Sequence, residues 1–204
     1  MLLIGGWDEH HVASSAVRVH LVDLATGVCT AQASLLSPQG GRIERCVTGR
    51  LPDRRIVCAG MTQQLTAQGT AQVMEPPPHG SPSEASWQWR SLPNTSAVRL
   101  GGRGCVLSDG RFAVFGGMDT SNATISSCEA LTLDADGEHW DVLPSMHEAR
   151  FGFACAAIGG CVIVAGGRGS ITAEVYEEGL GRWRRLPCNL PFDTDLFCAG
   201  SAVM

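Results

Sequence analysis

The segment RLGGRGCVLSDGRFAVFGG, residues 99–117, decides the fold. It opens on Arg99, runs through an apolar stretch to Ser108-Asp109-Gly110, and resumes a second apolar stretch that closes on Gly116-Gly117. Two apolar runs joined by Asp-Gly form the pattern of a β-hairpin, because Gly accepts the positive φ that a tight turn demands. Both runs are apolar without alternation, which suits strands covered on two faces. The closing doublet marks a place where side chains would crowd a neighbour or where φ must be positive. Working outward, Trp89, Leu92 and Pro93 precede the segment, with Trp89 ten residues before Arg99.

The same order recurs along the chain. Trp140, Leu143 and Pro144 lead to Arg150 and then to Gly166-Gly167. Gln32, Leu35 and Leu36 lead to Arg42, with Ala59-Gly60 in place of the doublet. Trp183, Leu186 and Pro187 put Asp193 where Arg is expected, and Gly5-Gly6 supplies a further doublet near the start. The Arg positions lie 57 and 51 residues apart, and Asp193 follows 43 residues after Arg150. A repeat of about 50 residues with four short strands per copy predicts a radial, propeller-like array. No segment sustains a 3.6-residue periodicity, so almost no helix is expected.

Composition narrows the function classes. The chain has 204 residues, 44% of them apolar and 17% charged, enough apolar material for a sizeable core and too little charge for a solvated coil. Its net charge of −5 disfavours a nucleic-acid partner, which needs concentrated cation. All fifteen basic residues are Arg. The longest apolar run, residues 151–167, is interrupted by Gly and too short for a membrane-spanning helix. The first residues, MLLIGGWDEHH, lack the basic and apolar regions of a signal peptide, so a cytoplasmic protein is expected. Nine Cys without a CxxC pair read as reduced, mostly buried thiols.

The combination Gly116-Gly117, Trp140, Leu143-Pro144, Arg150, then Gly166-Gly167, Tyr176, Trp183, Leu186-Pro187, resembles the kelch repeat family. The resemblance implies an all-β fold, a kelch-type β-propeller of about four blades, each a four-stranded antiparallel sheet. Residues 1–204 read as one domain: 1–41 the last three strands of blade 1, 42–98 blade 2, 99–149 blade 3, 150–192 blade 4. Residues 193–204 read as the innermost strand of a closing or next blade, so the chain is either a closed ring or a piece of a larger one, and open edges would invite self-association. Cys46, Cys105, Cys155 and Cys198 recur shortly after the Arg position, on the innermost strands. The stretch QVMEPPPHGSPSEASW, residues 72–87, reads as a projecting loop between third and fourth strands, since its Pro run cannot join a ladder.

Chemistry is sought and little is found. G-x-S-x-G, the P-loop and G-x-G-x-x-G are missing, and no His pair has zinc-binding spacing. No cofactor or metal is expected. What remains is a surface. By resemblance, Arg42, Arg99 and Arg150 and the residues after each doublet (Trp7, Asp8 and His10, then Gln63, Asp119 and Arg168) gather at one end of the ring as candidate partner-binding residues. A guanidinium fork suits carboxylates and acidic peptides, while an equal alternative has these Arg bonding blade carbonyls. The expected role is therefore a non-enzymatic protein-protein interaction module for a protein or peptide ligand. Kelch relatives with F-box or BTB modules imply a substrate receptor of a ubiquitin ligase. The rival expectation is a propeller enzyme, of sugar mutarotase or metal-dependent lyase type, using Arg42, Arg99, Arg150, His147 or Glu148 in the central channel.

Overall fold

Turn chemistry sets where strands stop. Leu107 N–H donates to Arg111 O at 2.8 Å and Gly110 N–H to Leu107 O at 3.0 Å, closing the hairpin read above. The computed structural model describes residues 2–4, 18–35, 43–62, 68–77, 87–135, 137–187 and 189–191. These form fifteen strands and one 3-10 turn at Glu178–Leu180.

The strands fall into four antiparallel sheets, each built in chain order. The first has three strands, β1 (Leu2–Ile4), β2 (Val19–Val22) and β3 (Cys29–Gln32). The second comprises β4 (Ile43–Arg50), β5 (Ile56–Thr62), β6 (Thr70–Glu75) and β7 (Gln88–Leu92), with a register shift between Glu44 and Val47. The third is β8 (Arg103–Val106), β9 (Phe112–Phe115), β10 (Cys128–Asp134) and β11 (Gly137–Leu143). The fourth is β12 (Ala154–Ile158), β13 (Cys161–Ala165), β14 (Ala173–Glu177) and β15 (Arg182–Arg185). The first strands of successive sheets, β4, β8 and β12, lie side by side, so the sheets fan outward like propeller blades. Cys46, Cys105 and Cys155 sit on these three inner strands.

The cores lie between the blades rather than within them. Phe115, Phe153, Val162, Val164 and Trp183 fill the space between the third and fourth sheets. Val57, Val73, Phe112, Val114 and Leu131 fill that between the second and third, and Val19, Cys58, Met74 and Trp89 that between the first and second. Close approach is built in at Gly49 on β4, where a Cβ would stand 2.4 Å from the Phe112 ring of the next blade. Such packing explains why the inner strands are apolar on both faces: each face meets a neighbouring sheet.

The repeated Trp ties blades together. Trp140 Nε1 donates to Pro93 O at 2.9 Å, and Trp183 Nε1 to Pro144 O at 2.8 Å. Each bond joins an outer strand to the segment leaving the previous blade. Trp89 Nε1 donates instead to Ala33 O at 2.8 Å. Trp183 also stacks at a tilt on Tyr176, 5.3 Å between ring centres, and edge-on to Phe115 of the preceding blade at 5.9 Å.

One boundary differs from the sequence reading. Residues 72–75 of the predicted loop belong to β6, which pairs with β5 and β7 as far as Glu75. The apolar Val73 and Met74 are buried and pull this stretch into the ladder ahead of the Pro run. Residues 78–86 and 192–204, and with them any strand that closes the ring, lie outside the described residues. All described Cys are free thiols, and among the described residues no helix is long and apolar enough to cross a membrane.

Candidate functional site

The doublets and repeated Arg come together at one end of the blades. Gly116 and Gly117 have φ of 53° and 103°, a region that residues other than Gly enter only under strain. Space is as restrictive as conformation there. A Cβ on Gly116 would lie 2.6 Å from the Arg150 carbonyl oxygen, and one on Gly117 2.8 Å from the Arg99 backbone. The doublet lets the end of β9 press against the start of the next blade, where Gly117 N–H donates to Arg150 O at 2.7 Å.

Arg150 is buried to 1% exposure, and its guanidinium makes a dense set of bonds. Nη1 donates to Gly166 O at 2.7 Å, Thr172 O at 3.0 Å and Ser170 Oγ at 3.0 Å. Nη2 donates to Glu148 Oε2 at 2.9 Å, Thr172 Oγ1 at 2.5 Å and Glu174 Oε1 at 3.2 Å. Burial alone would raise the Glu174 carboxyl. The backbone N–H and ring of His147, with Arg150, outweigh it and hold the group below its ordinary value. Arg99 repeats the arrangement one blade earlier. It donates to Gly116 O at 3.1 Å, Ser127 O at 2.6 Å and Glu129 Oε1 at 2.8 Å. Glu129 also accepts from the backbone N–H and hydroxyl of Ser96.

For Arg99 and Arg150 these distances match the second of the two equal expectations, bonding to blade carbonyls. Arg99 and Arg150 are withdrawn from the surface and bond the doublet's carbonyl and a buried carboxylate, so their forks are already filled. His147 and Glu148, the acid-base candidates of the enzymatic alternative, belong to the same net: His147 Nδ1 lies 2.8 Å from Glu174 Oε2. Glu129 and Glu174 were not singled out by sequence reading. They fall 13 and 8 residues after the first doublet Gly, because the intervening loops differ in length. The usable signal was a lone acid opening an apolar strand, in CEALTL and AEVY.

Around this fixed frame the loops vary. After Gly117, Asp119 Oδ1 accepts from Ser121 Oγ at 2.7 Å, Ser121 N–H at 2.8 Å and Ala123 N–H at 3.0 Å. The Ser121 hydroxyl and those amides hold its carboxyl below the ordinary value. After Gly167, the backbone of Arg168 bonds Phe151 O at 3.0 Å while its exposed side chain reaches solvent. Gly166 and Gly167 repeat the positive φ of the earlier doublet, and Gly60 is the corresponding residue within β5. Arg42, Gln63, Gly5, Gly6, Trp7, Asp8 and His10 lie outside the described residues.

The sheets and their inter-blade cores define a β-propeller architecture of antiparallel blades, three of them four-stranded among the described residues. No family model matches the chain. It is similar to two F-box/kelch-repeat proteins of Arabidopsis thaliana. One is 32% identical over 117 residues, 49% of this chain and 30% of the relative. The other is 31% identical over 99 residues, 46% of this chain and 26% of the relative. The repeated doublets, Trp and Arg fit this similarity to kelch-repeat proteins. The matched stretches cover less than a third of either relative's length.

Proposed function

We propose that the chain is a non-enzymatic interaction module that holds a partner protein or peptide through the loops following the doublets. The observation that carries this is the contrast between frame and loops. Arg, Glu, doublet and Trp recur in the same bonds at successive blades, while the residues after each doublet differ in length and charge, Met118-Asp119-Thr120 against Arg168-Gly169-Ser170. A rigid scaffold with individual tips is what recognition needs, and bonded structure alone asks for no particular tip identity. The buried Arg then act as positioning residues that fix loop origins. The F-box in the names of both relatives supports a finer reading, a substrate receptor of a ubiquitin ligase.

The test is affinity capture from cells with the wild-type chain and with Asp119→Arg plus Arg168→Glu. Recovery of a discrete partner by the wild type and its loss with the loop variant is the expected outcome. Partners retained equally by both overturn the loop-face reading. Capture with the complete gene product tests the finer claim, which fails if no cullin- or Skp-like protein is recovered.

A further inference from the structure

The opposite end of the blades, where the hairpin turns lie, presents a groove at each blade junction, and the three grooves are not alike. At the third junction Ser108 N–H and Oγ donate across to Glu178 at 2.8 and 2.5 Å, and the groove is about 140 Å³. At the second, of about 250 Å³, the cations are neutralised on the spot: Arg55 by Asp53 at 2.7 Å, and Arg111 by Asp109 at 2.7 Å and Asp141 at 3.1 Å. The first junction is the largest, about 330 Å³, with Leu21, Ile56, Met74 and Trp87 as apolar walls and Arg50 and Arg54 at the rim. Neither Arg has a carboxylate partner among the described residues.

Arg54 carries a second observation. The turns at Leu51–Arg55 and Leu107–Arg111 close with the same pair of backbone bonds. The later turn places Gly110 at φ 89°, whereas the earlier one places Arg54 at φ 78°. A side chain held in this sparsely populated region is strained, and such strain concentrates where a residue has a use. Here the guanidinium stands over the Trp87 ring, 6.0 Å from its centre, within reach of the attraction of a cation to the ring face. The chain thus keeps a strained cation, on an aromatic platform, above an apolar slot, in a molecule of net charge −5.

We infer that this groove binds a segment of a partner protein carrying Asp or Glu beside a bulky apolar side chain. The carboxylate would bridge Arg50 and Arg54, where a planar fork gives paired bonds, and the apolar side chain would enter between Leu21, Met74 and Trp87. The site lies at the other end of the blades from the loops after the doublets, so it stands or falls independently of the loop-face reading.

A phage library of random dodecapeptides panned on the 204-residue chain tests it, with affinities then measured for synthetic copies of the enriched peptides. The expected result is enrichment of acidic residues next to Leu, Met or aromatic ones. Arg54→Gly should weaken binding at least tenfold with a melting temperature equal to or above wild type, since Gly relieves the turn. Arg50→Gln added to it should abolish binding, while Arg111→Ala at the next junction leaves affinity unchanged. Peptides without acidic enrichment, or acidic peptides indifferent to both Arg substitutions, overturn the proposal. So does a wild-type dimer in sedimentation that Arg54→Gly dissociates, because the occupant is then a second copy.

Discussion

The two ends of the blades use the same chemical pair, Arg with a carboxylate, in opposite ways. At the doublet end Arg150 and Glu174 are both fully buried, and Arg99 and Glu129 nearly so. At the hairpin end Arg111, Asp109 and Asp141 keep a third to a half of their side-chain surface in water, as do Arg90, Glu75 and Glu138. The buried pairs are remote in sequence but hold the blade conformation, because each Arg also bonds a doublet carbonyl, Gly116 O or Gly166 O. The exposed pairs lose little if they part. The doublet end therefore fixes the relation between blades, while the hairpin end is free to change from junction to junction.

The largest expected effect comes from breaking the buried side. Arg150→Met removes the cation, leaves the buried Glu174 charge with only the His147 and Glu148 bonds, strips Gly166 O of its guanidinium donor and leaves Thr172 O with the Gly166 N–H alone. Losing one partner of a buried ion pair costs about 3–5 kcal/mol. Chemical denaturation should show a drop of that order. Adding Glu174→Leu should recover part of it, since the stranded charge is then gone. Full stability in the single variant would show that the net is not a structural element.

Acid sharpens the same contrast with a smaller effect. The folded state holds the Glu174 carboxyl below its ordinary value, so it binds protons less readily than the unfolded chain does. Its stabilising contribution is complete above the unfolded value of about 4.3 and is lost as pH falls through the lower folded value. The urea midpoint of the wild type should therefore fall between pH 5 and pH 3. In Arg150→Met the carboxyl loses its cation and shifts upward, so this part of the acid slope should flatten. A slope identical in both proteins would place the acid-sensitive group elsewhere.

How much of this was visible in the sequence follows from which interactions are local. The hairpin at Ser108-Asp109-Gly110 and the end of β9 at Gly116-Gly117 depend on φ preferences of one or two residues, so their letters announce them. The Trp positions repeat because one bond, from indole to the carbonyl of the preceding blade, repeats. The direction of Arg99 and Arg150 was not readable, since a guanidinium facing solvent and one facing a buried Glu look alike as letters. Its partners Glu129 and Glu174 lie across loops of unequal length, which erases any fixed spacing. The boundary at Glu75 was missed because the Pro run masked the buried Val73 and Met74 just before it.

The smallest effect belongs to the hairpin end, and its smallness is the point. Arg111 bonds Asp109 at 2.7 Å and Asp141 at 3.1 Å, while Asp141 keeps a separate bond from Thr132 Oγ1 at 2.6 Å. In Arg111→Ala the carboxylates turn to water, and Asp141 remains held by the Thr132 hydroxyl. Exposed pairs of this kind contribute about 0–1 kcal/mol, less as salt screens them. Denaturation at low salt should show a loss within that range, shrinking further at high salt, where the Arg150→Met deficit stays nearly constant. An Arg111→Ala deficit as large and as salt-resistant as that of Arg150→Met would mean that both ends are load-carrying frame, and the freedom assigned to the hairpin end would have no basis.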